Sequence, residues 1–207
     1  MPFIDNLALE LLTLVMVSGI ALYTILSACF EYRRKGAKNV SNVLRDGVIP
    51  LAVLGLLITI LALWSEMVWP FPGANAKYNI VFSDPYLILG IVLIAISIAI
   101  YFRRKLQVAG FLALMAGFIS VLYGVEIYIN GLTSSPFAAF GMYFAYGIAG
   151  ILVFPATLLF DSINSGKKPS IVLKVLTVLL ILAFIVAAIA AGLIGVESLA
   201  GHIISTP

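Results

Sequence analysis

The sequence predicts an all-α protein, a polytopic bundle of about six transmembrane helices with the N-terminus and the C-terminus outside. Three observations lead to this prediction: a chain poor in charge, apolar stretches long enough to cross a bilayer, and basic residues gathered on one side of them. Only 10% of the 207 residues are charged and 63% are hydrophobic, whereas a soluble domain carries about 25% charged residues. A chain with so little charge has no surface suited to water.

Six apolar stretches follow one another along the chain. Each is close to the length of about 20 residues that a helix needs to cross a hydrocarbon core about 30 Å thick. They do not alternate between apolar and polar residues, as the strands of a membrane barrel do, and a backbone in lipid must satisfy its own hydrogen bonds. The connection at 31–47 has room for a short surface helix. We therefore expect a single integral membrane domain, 1–207, with helices near 7–30, 48–69, 85–102, 107–129, 136–160 and 171–199.

The basic residues set the predicted orientation. Eleven of the twelve Lys and Arg residues lie in or beside the connections that follow the first, third and fifth stretches, and Lys77 is the exception. Short loops rich in Lys and Arg stay in the cytoplasm, and no Lys or Arg precedes the first stretch or follows the sixth. Both termini are therefore expected outside, in a multi-pass protein of the cell membrane.

Small residues form a stripe on the fourth predicted helix. They recur every three or four residues, at Gly110, Ala113, Gly117, Ser120 and Gly124. Small residues on one face let two membrane helices approach closely. The stripe therefore predicts a compact bundle rather than a pore.

Acidic residues gather toward the predicted outer side. The candidate outer-side polar cluster consists of five acids near the outer helix ends: Glu10, Glu66, Asp84, Glu126 and Glu197. Ionisable groups inside a membrane cost about 3 kcal/mol on insertion scales, and they usually face the bundle interior. Glu10, Glu66 and Glu197 continue polar or small faces of their helices and are expected to point inward. The alternatives are a carboxylate-lined vestibule that takes up protons or cations, and side chains that only extend to the lipid headgroups.

The sequence shows no catalytic or cofactor motif beside these acids. Its one histidine, His202, lies near Glu197, but a metal site built from these two has little support, because no Glu-x-x-His pair is present. A single histidine cannot provide both axial ligands of a haem, and the nucleotide-loop and nucleophile-elbow motifs do not occur. The single Cys29 excludes an intrachain disulfide. We therefore expect no cofactor, no nucleic-acid partner and no conventional enzyme activity.

The connection between the second and third stretches carries a resemblance to a known family. It contains Trp69-Pro70-Phe71-Pro72-Gly73, then Tyr78-Asn79-Ile80 and Asp84-Pro85-Tyr86, and the chain opens with Phe3-Ile4-Asp5-Asn6-Leu7. In these segments the chain resembles an uncharacterised, mostly archaeal family of predicted polytopic membrane proteins, a domain of unknown function. The resemblance implies a six-helix membrane protein with no assigned activity, so it transfers no catalytic residues to this chain.

The same connection also has a local interpretation. Pro85 suits the first turn of a helix, with Asp84 as its N-cap, and Pro70 ends the helix before it. Trp69 and Tyr86 are expected at the outer membrane interface, where aromatic residues collect.

Two functions remain open on the sequence. The first is an accessory or structural subunit of a membrane assembly, which acts through the lipid bilayer and other membrane proteins. The alternative is a small transporter or channel for protons or cations that uses the outer-side carboxylates. Transporters usually interrupt their helices near the midplane, and Pro155, the one mid-helix proline, lies away from the acids. The sequence therefore favours the subunit.

Overall fold

The computed structural model describes residues 6–71 and 73–204, without the side chains of residues 6, 74 and 202. Every regular element in this part of the chain is a helix, which confirms the predicted all-α class. The helices are α1 (Asn6–Lys35), α2 (Val40–Asp46), α3 (Val48–Val68), α4 (Lys77–Tyr101), α5 (Gln107–Asn130), α6 (Pro136–Asn164) and α7 (Ile171–Ile204), and short 3-10 turns cover Gly36–Asn39 and Gly73–Asn75.

Five segments of the described chain are long and apolar enough to cross a membrane. Four of them correspond to single helices, namely α4, α5, α6 and most of α7. The other segment, Leu7–Val68, is 62 residues long and covers α1 except for its first residue, together with α2 and α3. Length and composition are thus compatible with a multi-pass membrane protein.

The predicted start of the third long helix at residue 85 is wrong. Helix α4 begins at Lys77, so Asp84 is not a cap and Pro85 lies inside the helix. A proline has no N–H to give to the carbonyl four residues earlier, here that of Val81. The hydroxyl of Tyr143 on α6 donates to this Val81 oxygen at 2.6 Å. A tertiary hydrogen bond thus replaces the missing helical one, and the helix continues through the proline.

The six long helices of the described chain form a closed ring. Each packs against the next long helix along the chain, and α7 packs against α1. The closing contact uses small residues of α7: a Cβ added at Gly195 would lie 3.1 Å from the Cβ of Leu11, and one at Gly192 would lie 3.6 Å from Val15. Helices that would otherwise form an open row therefore surround a common interior.

Glycines bring neighbouring helices of the ring into close contact. A Cβ at Gly117 of α5 would lie 2.5 Å from the Gly147 oxygen and 2.6 Å from the Ile151 nitrogen of α6. Between α3 and α4, a Cβ at Gly90 would lie 2.9 Å from the Gly55 oxygen. The small-residue stripe predicted on α5 is therefore a packing surface, with its glycines and its alanine buried against α6.

The short helix α2 closes one end of the ring. It contacts α1, α3, α4 and α6, and Val40 and Leu44 are buried in one cluster with Leu106 and Phe160. The short helix predicted in this connection is thus confirmed, although its apolar face is buried in the ring instead of lying on the surface. We name this end, where α4 ends and α5 begins, the basic end, because most Lys and Arg residues lie there. The opposite end is the acidic end.

Asp161 of α6 joins two helices at the basic end. Its carboxylate accepts hydrogen bonds from the backbone N–H groups of Leu106, at 2.9 Å, and Gln107, at 3.0 Å. These N–H groups begin α5 and have no partner within the helix, and negative charge at this position is favourable to the helix dipole. Asp161 therefore caps α5 from a neighbouring helix.

We predict that Gly117→Ala lowers the unfolding temperature of the purified protein in detergent. The added methyl group meets backbone atoms of α6, which cannot move aside as a side chain can, and overpacking of this kind costs about 1–3 kcal/mol. Gly141→Ala on α6 is the matched control, because a Cβ there has nothing within 4 Å and alanine favours a helix over glycine. Equal unfolding temperatures for the two variants would contradict the packing described.

Candidate functional site

The ring encloses a cavity of about 200 Å³ to which all seven helices contribute. Along α1 the lining runs from Glu10 to Ile25, a rise of about 22 Å at 1.5 Å per residue. A water molecule needs about 10–15 Å³ of such space, so the cavity is far larger than a packing defect. The helices do pack closely, as the small-residue stripe predicts, but their ring leaves this space at its centre.

The wall of the cavity is almost entirely apolar. Aliphatic and aromatic side chains make up most of it, including Leu14, Leu89 and Leu180. Hydroxyl groups on the wall are engaged within the protein: Thr24 and Ser120, for example, each donate to a backbone oxygen. The cavity therefore offers an apolar chain many contacts and an ion very few.

Two tyrosines of α6 cross the interior near the acidic end. Tyr143 reaches the Val81 oxygen of α4, and Tyr146 donates to the Leu14 oxygen of α1 at 3.1 Å. The hydroxyl of Ser18 lies 3.0 Å from that of Tyr146. Because α4 and α1 are not neighbours of α6 in the ring, these hydrogen bonds hold the ring together across its centre.

Glu10 and Tyr86 form the polar end of the cavity. Each residue is only 5% exposed, and both line the cavity. Glu10 is one of the charged neighbours of Tyr86. The Tyr86 hydroxyl has no hydrogen-bond partner of good geometry among the described residues, and the Thr13 hydroxyl beside it donates instead to the Leu9 oxygen, at 2.7 Å. Buried hydroxyls without partners are rare in proteins, so this one is available to a polar group that enters the cavity.

A second polar group lies outside the cavity lining, between α3, α4 and α5. The carboxyl groups of Glu66 and Asp84 are within hydrogen-bonding reach of each other, and Tyr123 donates a hydrogen bond to Asp84. Two carboxylates this close repel each other unless a proton or a cation lies between them. The hydrogen bond from Tyr123 links α5 to α4, whereas the buried Oε1 of Glu66 on α3 has no hydrogen-bond partner among the described residues.

The five acids of the predicted outer-side cluster do not form one site. The structure pairs Glu66 with Asp84 and places Glu10 in the cavity lining. Glu126 and Glu197 are exposed, and Glu126 accepts a hydrogen bond from its own helix. The expectation that Glu197 points inward is wrong, because a different face of α7 packs against α1.

The proposed metal pair of His202 and Glu197 lies near the end of α7. The side chain of His202 is outside the described residues, and Glu197 is exposed. In the described part of the chain, no group of three His, Cys, Asp or Glu side chains is placed to hold a metal ion.

Tyr86 is the candidate residue whose position the sequence analysis missed. The expectation that it lies at the membrane interface is wrong, because it is buried within the ring, whereas Trp69 is exposed. The sequence feature that could have indicated its burial is a helical spacing of three and four residues between Tyr86, Leu89 and Leu93, which all line the cavity. Such a stripe indicates one buried face of a helix, but not what that face contacts.

We predict that Tyr143→Phe destabilises the protein by about 1–3 kcal/mol, because it leaves the buried Val81 oxygen without the partner that replaces its helical one. Tyr128→Phe is the matched control, since Tyr128 is 55% exposed. The measurement is the free energy of unfolding in mixed micelles, followed by circular dichroism. If both variants are as stable as the unaltered chain, the role given to this hydrogen bond is wrong.

The chain has no match among the curated proteins and none among the solved structures. One family model matches residues 1–205, which is nearly the whole chain. The family has no assigned function, so the resemblance to a domain of unknown function is confirmed. The chain therefore belongs to the family described as Protein of unknown function (DUF981).

Proposed function

We propose that this protein is a multi-pass membrane protein that binds an elongated apolar ligand inside a ring of six membrane-spanning helices. The observation that carries the proposal is the apolar cavity within the ring, which has the buried Glu10 and Tyr86 at one end. A single-chain amphiphile from the membrane has the same form, with one long apolar tail and one polar head.

Six crossings are supported by the lengths of the helices. The segment Leu7–Val68 has 62 residues, roughly three times what one crossing needs. Within it, α1 has 30 residues and α3 has 21, so each is long enough to cross alone. Together with α4, α5, α6 and α7 they would give an even number of crossings, and both termini would then lie on the same side.

The charges support an outer position for the termini. Basic residues such as Arg33, Arg103 and Lys167 are exposed at the basic end, and short loops rich in Lys and Arg stay cytoplasmic. The acidic end of the cavity, with Glu10, then faces the outside of the cell membrane.

The size of the cavity favours a bound ligand. Protein interiors are packed about as densely as organic crystals, and a cavity in a core destabilises by about 24 cal/mol per Å³. On that scale an empty cavity of 200 Å³ costs about 5 kcal/mol, a large part of the roughly 5–15 kcal/mol that keeps a domain folded. An apolar chain inside the cavity removes this penalty.

Proton or cation transport receives less support from the geometry. An ion pathway needs polar groups or water along its length, and the cavity wall between Glu10 and the basic end is apolar. Glu66 and Asp84 do not line the cavity. Their position fits a link between helices better than a step on a pathway.

An accessory role in a membrane assembly is compatible with ligand binding. Large apolar side chains are exposed on every long helix of the ring, among them Leu56, Ile98 and Leu182. Surfaces that face lipid and surfaces that face another membrane protein share this composition. Binding to a partner protein therefore stays a prediction, because the exposed surface gives no evidence for or against it.

We predict that opposite ends of α6 lie on opposite sides of the membrane. In a chain whose single Cys29 is replaced by serine, a cysteine at Ser134 should react with a membrane-impermeant maleimide added to intact cells. A cysteine at Ser165 should react only after permeabilisation. Both serines are exposed in the structure. Labelling in the reverse order would contradict the proposed orientation, and labelling of both from one side would contradict the crossing.

We predict that the protein retains an amphiphile through purification in mild detergent, detected by mass spectrometry of an organic extract. Ala116→Leu places a larger side chain in the cavity lining and should lower the retained amount several-fold. Ala138→Leu is the matched control, because it adds the same atoms at an exposed position of α6. Equal retention in the two variants, or an extract that holds only detergent, would contradict ligand binding in the cavity.

A further inference from the structure

We infer that the ligand carries a head that donates hydrogen bonds, an amine or a hydroxyl group, and that Glu10 and Tyr86 bind this head at the acidic end of the cavity. This inference rests on the proposed ligand site and adds the chemistry of the ligand to it. It also fixes the ligand's direction, with the head at the acidic end and the tail toward α2.

The position of the two side chains supports a head site. Glu10 comes from α1 and Tyr86 from α4, which are not neighbours in the ring, so the two residues approach the cavity from different walls. Both are more than nine-tenths buried. A polar group that reaches them must therefore come through the cavity, and it is shielded from bulk water once bound.

The hydroxyl of Tyr86 points to a missing polar partner. It is buried, it lines the cavity, and it makes no hydrogen bond of good geometry to the described residues. The other two tyrosines in this part of the lining, Tyr143 and Tyr146, donate to backbone oxygens across the ring. Their hydroxyls are engaged in the structure of the ring, whereas that of Tyr86 can both donate to a ligand and accept from it.

The carboxyl group of Glu10 selects the kind of head. Its two oxygens offer several acceptor sites, so that Glu10 can accept a hydrogen bond from a ligand donor besides the contacts it makes within the protein. Among the described residues that line the cavity, none is Lys or Arg. An anionic head would thus find no cation in the lining, whereas an amine would bring the positive charge that favours the ionised form of this buried carboxyl group, and an alcohol would find an acceptor oxygen.

The test compares three amphiphiles that have the same apolar tail and different polar head groups. The full chain, freed of endogenous lipid in detergent, is mixed with a long-chain primary amine, with the alcohol of the same chain, or with the corresponding carboxylic acid. Native mass spectrometry then counts bound molecules. The amine and the alcohol should each form a one-to-one complex, and the acid should bind at least tenfold more weakly than the amine.

Two variants locate the head. Tyr86→Phe removes one hydrogen bond and should weaken binding of the amine and of the alcohol about fivefold. Glu10→Gln should weaken the amine more than the alcohol, because it removes the negative charge but keeps an acceptor oxygen. Tyr128→Phe and Glu197→Gln change the same groups at exposed positions and should leave all three affinities unchanged.

The possible failures are distinct from one another. If none of the three amphiphiles binds to the unaltered chain, the proposed ligand site itself is wrong. If all three bind with equal affinity, or the acid binds best, the cavity takes an amphiphile but the inferred head is wrong. If the amine and alcohol bind as expected but Tyr86→Phe and Glu10→Gln behave like their controls, the head lies elsewhere and the inference is overturned. The comparison on the unaltered chain needs no variant to fold.

Discussion

The contact between α1 and α7 closes the ring of helices. Without it, helices that each pack against the next would form an open row and would not surround a cavity. In the membrane location proposed above, lipid would offer little hydrophobic drive for this contact, so the helices would have to fit closely. Small residues of α7 provide the fit: Ala187 and Ala191 are fully buried, and Gly195 lies against Leu11. The cavity, its closure by α2 and its polar end all depend on the ring that this contact completes.

The polar end depends on an irregularity within one helix. Pro85 leaves the Val81 oxygen without its helical partner, and Tyr143 of α6 supplies another. Together with the bond from Tyr146 to α1, this ties α6 to two helices that are not its neighbours in the ring. Tyr86, next to the proline, is left with its hydroxyl available. The tertiary hydrogen bond and the available Tyr86 hydroxyl thus lie close together in one part of α4.

The positions of the long helices could be predicted from the sequence, but the central cavity and its lining could not. A long apolar stretch indicates a helix in lipid whatever that helix contacts, so five of the six long helices were placed within a few residues. The cavity wall and much of the exposed surface are both apolar, so hydropathy cannot distinguish Leu89 inside from Leu56 outside. Pro85 was read as a helix start, because the tertiary bond that lets α4 continue through it is not local in sequence. The sequence indicates Glu10 as an inward-pointing acid, but it gives no sign that Tyr86 lies at the same end of the cavity.

The most direct test of a ligand-binding ring is an experimental density map of the protein purified without added ligand, at a resolution that shows side chains. The account predicts a closed ring of six long helices with continuous elongated density at its centre, ending beside the hydroxyl of Tyr86. A map in which the helices collapse onto one another, so that Glu10 and Tyr86 pack against protein and no central space remains, would contradict it.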